Sequence, residues 1–244
     1  MFNYNWLTAP ENLNLSLNDV HLWCINLNQS ESQLQAFWET LSSDEITRAE
    51  RFYFPEHRQR FITGRGTLRA ILGRYLAIDP KQVEFEYQPR GKPFLAAKFA
   101  SHRLFFNLSH SQDTALCGVS YQDIGVDIEC IRAMSDLESL AKRFFSPEEY
   151  EHLRLVSSEE QKQIFFRYWT CKEAYLKATG DGLVKLEEIK ISLTKTKNQP
   201  SKLLLSGDWN LRELTLKDDF AAAVVVAGRN INLHFWEYSS FLDH

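Results

Sequence analysis

Trp169, Glu173 and Lys177 stand four residues apart in the segment Trp169-Thr170-Cys171-Lys172-Glu173-Ala174-Tyr175-Leu176-Lys177. At helical spacing they share one face, so an aromatic ring, a carboxylate and an amine fall in one line. About forty residues earlier, Gly125-Val126-Asp127-Ile128-Glu129 carries two more carboxylates. On a strand Asp127 and Glu129 point to one face while Val126 and Ile128 point to the other. Two carboxylates side by side repel, and a hard cation relieves the repulsion. Mg²⁺ suits such a pair because it prefers few carboxylates with phosphate oxygens and waters. Each motif also has a plain structural alternative: Glu173 and Lys177 as a surface ion pair, Asp127 and Glu129 on a solvent-facing edge strand.

Other residues point the same way. Ser109-His110-Ser111 follows Phe105-Phe106-Asn107-Leu108 and reads as a loop between two strands, where Ser and His can bond a phosphate. Between Arg48 and Arg74 lie seven arginines and no lysine. The arginine fork suits phosphate oxygens, although about half of these arginines are expected to be a solvated helix face with snorkelling stems. There is no G-x-S-x-G elbow, no Walker loop and no dinucleotide fingerprint, which argues against a Ser-His hydrolase and the common nucleotide folds. Three carboxylates, a lysine one turn beyond the last and an arginine-rich helix are equipment for a Mg²⁺-bound, multiply phosphorylated ligand and a phosphoryl-type transfer.

The elements that must hold these groups can be read from caps and periodicity. Ser157 and Glu160 form a capping box that opens the Trp169–Lys177 helix, and Gly180 and Gly182 stop it. Ser30 with Gln33 and Ser42 with Glu45 open two short helices; a long helix follows Pro55 and runs to about Leu76. Strands are expected at Asp19–Leu27, Val83–Tyr87, Leu104–Leu108, Ala115–Tyr121, Gly125–Cys130 and Ala221–Ala227, with a turn at Gln88–Pro93. Arg51-Phe52-Tyr53-Phe54-Pro55-Glu56 and Arg143-Phe144-Phe145-Ser146-Pro147-Glu148 match at five of six positions if Tyr and Phe count together, which suggests an internal duplication. Two similar halves, 1–121 and 122–244, would leave a ligand cleft between them.

Bulk properties bound the class. The chain has 244 residues, ordinary apolar content and a net charge of −4, which argues against a dedicated nucleic-acid binder. No apolar run approaches the ~20 residues of a membrane span, and the segment Met1–Trp6 lacks the charged and apolar regions of a signal peptide. Cys24, Cys117, Cys130 and Cys171 are scattered, as reduced thiols of a cytoplasmic protein would be, and no zinc site is expected.

Gly125-Val126-Asp127-Ile128-Glu129 together with Trp169-x-x-Lys172-Glu173-Ala174 and Lys177 resembles the paired signature of the 4′-phosphopantetheinyl transferases. Arg90-Gly91-Lys92-Pro93, Phe106–Ser111 and Arg143–Ser146 look like that family's other motifs, in order from about Arg48 to Gly182. The size and the two halves resemble the monomeric, surfactin-type subclass. The resemblance implies an α+β fold with a pseudo-two-fold axis and coenzyme A and Mg²⁺ in the cleft. The implied reaction moves phosphopantetheine from coenzyme A to a serine of an apo acyl or peptidyl carrier protein and releases adenosine 3′,5′-bisphosphate. By position Asp127, Glu129 and Glu173 match the metal ligands. Glu173 also matches the proposed base and Lys177 the stabiliser of the pyrophosphate. Lys92, Ser109 and His110 match coenzyme A contacts, with Gly91, Pro93, Lys172 and Asp127 in the same motifs. Arg48 and Arg60 match basic positions near the 3′-phosphate. Arg90 stands where relatives often carry an aromatic and adds a phosphate contact or nothing. Carrier proteins are generally acidic helical bundles; Lys142, Arg143 and Arg154 with Phe145, Tyr150 and Leu153 could offer a docking face, or form an ordinary amphipathic helix. Two rival readings use the same residues: a Mg²⁺-dependent nucleotide or pyrophosphate hydrolase, and a non-catalytic coenzyme A- or carrier-binding module.

Overall fold

The structure is a computed structural model that describes residues 5–181, 183–194, 201–204 and 207–239. Met1–Tyr4 of the N-terminal reading and Gly182 of the helix stop lie outside these residues.

The strands are β1 (Leu7–Thr8), β2 (Asp19–Asn26), β3 (Phe85–Tyr87), β4 (Pro93–Leu95), β5 (Phe105–Ser111), β6 (Thr114–Ser120), β7 (Ile124–Cys130), β8 (Ile191–Ser192), β9 (Lys202–Leu203), β10 (Trp209–Leu214), β11 (Phe220–Ala227) and β12 (Asn232–Glu237). The helices are α1 (Glu31–Trp38), α2 (Ser43–Glu50), α3 (Pro55–Leu76), α4 (Leu137–Phe144), α5 (Pro147–Leu155) and α6 (Ser158–Thr179). The fold is α+β. One sheet has the order β1-β12-β2-β6-β5 and a second β10-β11-β7; β3–β4 and β8–β9 are two-stranded. The pairs β1–β12 and β12–β2 are parallel; the other pairs are antiparallel. Strand β12 thus comes from the end of the chain to sit in the sheet built by the first half.

Strand alternation explains three cores. Val20 and Leu22 of β2 meet Ile124, Val126 and Ile128 of β7 and Val224 and Val226 of β11 between the two sheets. Trp23 and Ile25, on the opposite face of β2, pack with Leu68, Ile71 and Leu72 of α3. Ala221, Ala223 and Val225 of β11 lie with Phe165, Cys171, Ala174 and Ala178 of α6. Small residues let α6 approach closely. A Cβ on Gly125 would fall 2.0 Å from the Ala174 carbonyl oxygen and 2.3 Å from the Ala178 nitrogen. Glycine at this place is what brings the helix down onto β7.

The hexamer match does not mark equivalent places. Pro55 opens the 22-residue α3, whereas Pro147 opens the nine-residue α5. A similar buried ion pair occurs twice in the chain. Glu45, in the capping box of α2, pairs with Arg69 of α3 at 2.7 Å, and Arg69 donates to the carbonyls of Pro80 and Val83. Glu149, in the capping box of α5, pairs with Lys172 of α6 at 2.7 Å, and Lys172 donates to the carbonyls of Leu186 and Ile189. Helices α3 and α6 are both 22 residues long. The expected loop at Ser109–Ser111 is also corrected: these residues end β5, paired with Ala115 and its neighbours, and the reversal is made by Gln112 (φ 52°) and Asp113. No described helix is long and apolar enough to cross a membrane.

Candidate active site

Residues Asn107, Ser109 and Ser111 alternate along β5, the edge strand of the first sheet, and turn their side chains to β7. Asn107 Oδ1 accepts from the Val126 amide at 2.9 Å and Ser111 Oγ from the Cys130 amide at 3.0 Å. Between them Ser109 Oγ donates to Asp127 Oδ1 at 2.9 Å, and Ser111 Oγ donates to Glu129 Oε2 at 3.1 Å. Side chains therefore join two sheets where a backbone ladder is missing, and they orient both carboxylates. Asn107 and Ser111 had no assigned role in the sequence; the period-two run of polar residues was their signal.

Helix α6 supplies the other wall. Trp169, Glu173 and Lys177 line one cleft of about 380 Å³ with Leu108, Ser109, His110, Asp127 and Glu129. Lys177 Nζ is 2.6 Å from Asp127 Oδ1 and donates to Ser109 Oγ at 2.9 Å. Its charge is thus committed to the cleft and not to a solvated helix face. Trp169 stacks on Phe165 and meets Phe144 edge-on, which fixes the upper end of the line.

The cleft carries more negative charge than its lysine balances. Asp127 Oδ2 and Glu173 Oε1 are buried and have no hydrogen-bond partner. Burial first, and then the charges of Asp127 and Glu129, push the Glu173 carboxyl up to about 7 against the pull of Lys177. Burial and Asp127 also raise Glu129. Orphaned acceptor oxygens on crowded carboxylates fit a hard divalent cation, and Asp127, Glu129 and Glu173 are the residues that would hold it. At the cleft edge, part of His110 stays open to solvent, yet crowding by neighbouring atoms and then the charges of Lys177 and Arg60 lower its pKa. Arg60 lies close by, 2.9 Å from Asp113.

Other expected residues fall elsewhere. Lys172 is corrected: its amine is fully buried, bonded to Glu149, Leu186 and Ile189, so it secures α6 and reaches no ligand. Lys92 donates to the carbonyls of Ile124, Lys177 and Ala178, so its amine caps the end of α6 and is not turned into the cleft. Lys92 and Pro93 line a separate cavity of about 250 Å³. Arg90 is exposed, and Gly91 supplies the left-handed residue (φ 83°) of their turn. Arg48 is exposed and lies over the Phe61 ring. Arg65 and Arg69 are buried against Glu45, and Arg74 donates to the carbonyls of Pro10 and Glu11, so these arginines are structural. The residues that could offer a docking face are divided, with Tyr150 half-buried. Phe145 and Leu153 belong to the core, leaving Lys142, Arg143 and Arg154 exposed without them.

Comparison with known proteins gives consistent matches. A family described as the 4′-phosphopantetheinyl transferase superfamily matches residues 123–225, and one described as 4′-phosphopantetheinyl transferase, N-terminal, matches 26–120. The chain is 59% identical over 239 residues to the 4′-phosphopantetheinyl transferase HetI of Nostoc sp. strain PCC 7120, covering 98% of this chain and 100% of that protein. It is 34% identical over 154 residues to the 4′-phosphopantetheinyl transferase Sfp of Bacillus subtilis, covering 63% and 66%. Among solved structures, a holo-(acyl-carrier-protein) synthase from Bacillus anthracis in complex with CoA (3′,5′-ADP) aligns with 44% of this chain and 96% of that chain, at 23% identity and a TM-score of 0.38.

Proposed function

This chain belongs to the 4′-phosphopantetheinyl transferase superfamily and transfers phosphopantetheine from coenzyme A to a carrier protein, and we propose that the β5–β7–α6 cleft performs the transfer with Mg²⁺. The observation that carries this reading is the pair of buried, unpartnered oxygens on Asp127 and Glu173 beside Glu129. Asp127, Glu129 and Glu173 would hold the ion, which when bound neutralises pyrophosphate charge.

The chain's own groups account for the rest. In the transfer, the carrier serine Oγ bonds to the phosphorus bearing pantetheine while the pyrophosphate P–O bond breaks and adenosine 3′,5′-bisphosphate leaves. The serine proton needs an acceptor, and the Glu173 carboxylate that lines the cleft is the group we assign as the base. Lys177, positioned by Asp127 and Ser109, faces the charge that develops on the leaving oxygen. His110 and Arg60 at the edge suit the 3′-phosphate end, and Arg48 lies along the same basic stretch. We place both walls of the cleft in one chain, which makes a monomer sufficient. All four cysteines are free, in keeping with a reducing cytoplasm.

The test is to incubate the protein with coenzyme A, Mg²⁺ and an apo carrier and to weigh the carrier. A carrier heavier by one phosphopantetheine supports the reading. Cleaved coenzyme A with an unmodified carrier would make the protein a hydrolase; no change in either would make it a binding module.

A further inference from the structure

We propose that Asp19, His21 and His234 form a site for a divalent transition ion of the zinc class, which fastens β12 onto β2. The site lies on the α3 side of the first sheet and shares no residue with the transfer cleft. Strand register creates it. In the parallel β12–β2 pair, Asn232 aligns with Asp19 and His234 with His21. Alternation puts all four side chains on one face. One donor atom from each of Asp19, His21 and His234 lies within 4.8 Å of the others.

The donor chemistry selects the ion. Two imidazoles and one carboxylate suit Zn²⁺ and are poor ligands for Mg²⁺. Bond lengths of about 2.0–2.2 Å place tetrahedral ligands roughly 3.3–3.5 Å apart. His234 Nε2 is 3.5 Å from Asp19 Oδ1, and that nitrogen is buried with no hydrogen-bond partner. The remaining donor separations, up to 4.8 Å, would shorten on binding.

Outer contacts hold each ligand. One ring nitrogen of His21 is 2.7 Å from Tyr75 Oη, which also accepts from Trp23 Nε1 at 3.1 Å; the other nitrogen is left to ligate. Asp19 accepts from the Ser16 amide at 3.0 Å and from Asn232 Nδ2 at 3.1 Å. Trp236 stacks on His234 and meets His21 edge-on. Such partners fix ring orientation and are typical of built metal sites. A bound ion would stabilise the folded chain alone, joining segments 213 residues apart.

The test uses the full chain, stripped with chelator and returned to buffer containing excess Mg²⁺, so that the carboxylate cleft is already supplied. Co²⁺ and then Zn²⁺ are titrated. One equivalent of Co²⁺ should give the visible absorption of a histidine-ligated ion, and Zn²⁺ should bleach it and raise the melting temperature. His234→Gln and Asp19→Asn should each weaken Zn²⁺ binding at least tenfold. Tyr75→Phe, which keeps the ring, should weaken it about 10–100-fold. Phosphopantetheine transfer should be unchanged in all three. No ion bound by the wild type, or equal binding by His234→Gln and Asp19→Asn, overturns the proposal.

Discussion

Replacing Glu173 with Gln should make the metal-free protein more stable in alkaline solution while it abolishes transfer. The carboxyl is raised from 4.5 to about 7 in the folded chain. The folded state therefore keeps its proton through a range in which the unfolded chain has lost it. Linkage fixes the sign: this stability is fully present below 4.5 and is lost as pH rises through about 7. Each pKa unit corresponds to about 1.36 kcal/mol, so ionising Glu173 costs up to about 3 kcal/mol, less solvent screening at the cleft mouth. Gln cannot ionise, and it also removes one charge facing Asp127 and Glu129. The assay is urea unfolding in chelator at about pH 5 and about pH 8. Measured relative to Glu173→Gln, wild type should lose roughly 2–3 kcal/mol between them, because the slope contributed by other groups, His21 among them, is common to both proteins. Added Mg²⁺ at the higher pH should restore wild type and do little for the variant. Equal pH slopes for the two proteins in chelator would refute the reasoning.

Three further outcomes follow from particular contacts. Gly125→Ala would drive a methyl against the Ala174 carbonyl and lift α6 from β7, so melting temperature and transfer should fall together, with stability down by about 1–3 kcal/mol or more. Lys172→Met should leave the Glu149 charge buried and cost about 3–5 kcal/mol in urea unfolding, while the KM for coenzyme A of the folded fraction stays unchanged. Arg60→Ala should raise the KM for coenzyme A about tenfold or more, from a charged bond of roughly 1.5–3 kcal/mol, and should affect the 3′-dephospho analogue much less. Steady-state kinetics with both substrates checks this; equal effects would place Arg60 outside the 3′-phosphate site.

The elements with local signals were readable from the sequence. Capping boxes at Ser30, Ser42, Ser146 and Ser157 mark helix starts because the cap and its N3 partner are close in sequence. Spacing also placed Glu173 and Lys177 on one face and Asp127 and Glu129 on another. What spacing could not reveal was set by partners far along the chain. Ser109-His110-Ser111 has weak strand propensity and is strand because β6 pairs with it and β7 takes its side chains. Lys172 looked like its neighbours Glu173 and Lys177, but α6 is buried on more than one side, and Lys172 points to the core that holds Glu149. The hexamer match follows helix-opening chemistry around proline, whereas the paired buried contacts, Glu45 with Arg69 and Glu149 with Lys172, join residues too far apart in sequence to be read from spacing. Asp19, His21 and His234 meet only because the end of the chain returns to β2.

Single-turnover transfer at saturating coenzyme A and carrier, with Mg²⁺ varied, tests the central claim most directly. Wild-type rate should rise with Mg²⁺ to a plateau. Asp127→Ala removes a ligand and the anchor of Lys177 together, and it should transfer at least 10²-fold more slowly at every Mg²⁺ concentration, while still binding coenzyme A. Near wild-type transfer by Asp127→Ala at limiting Mg²⁺ would contradict the account.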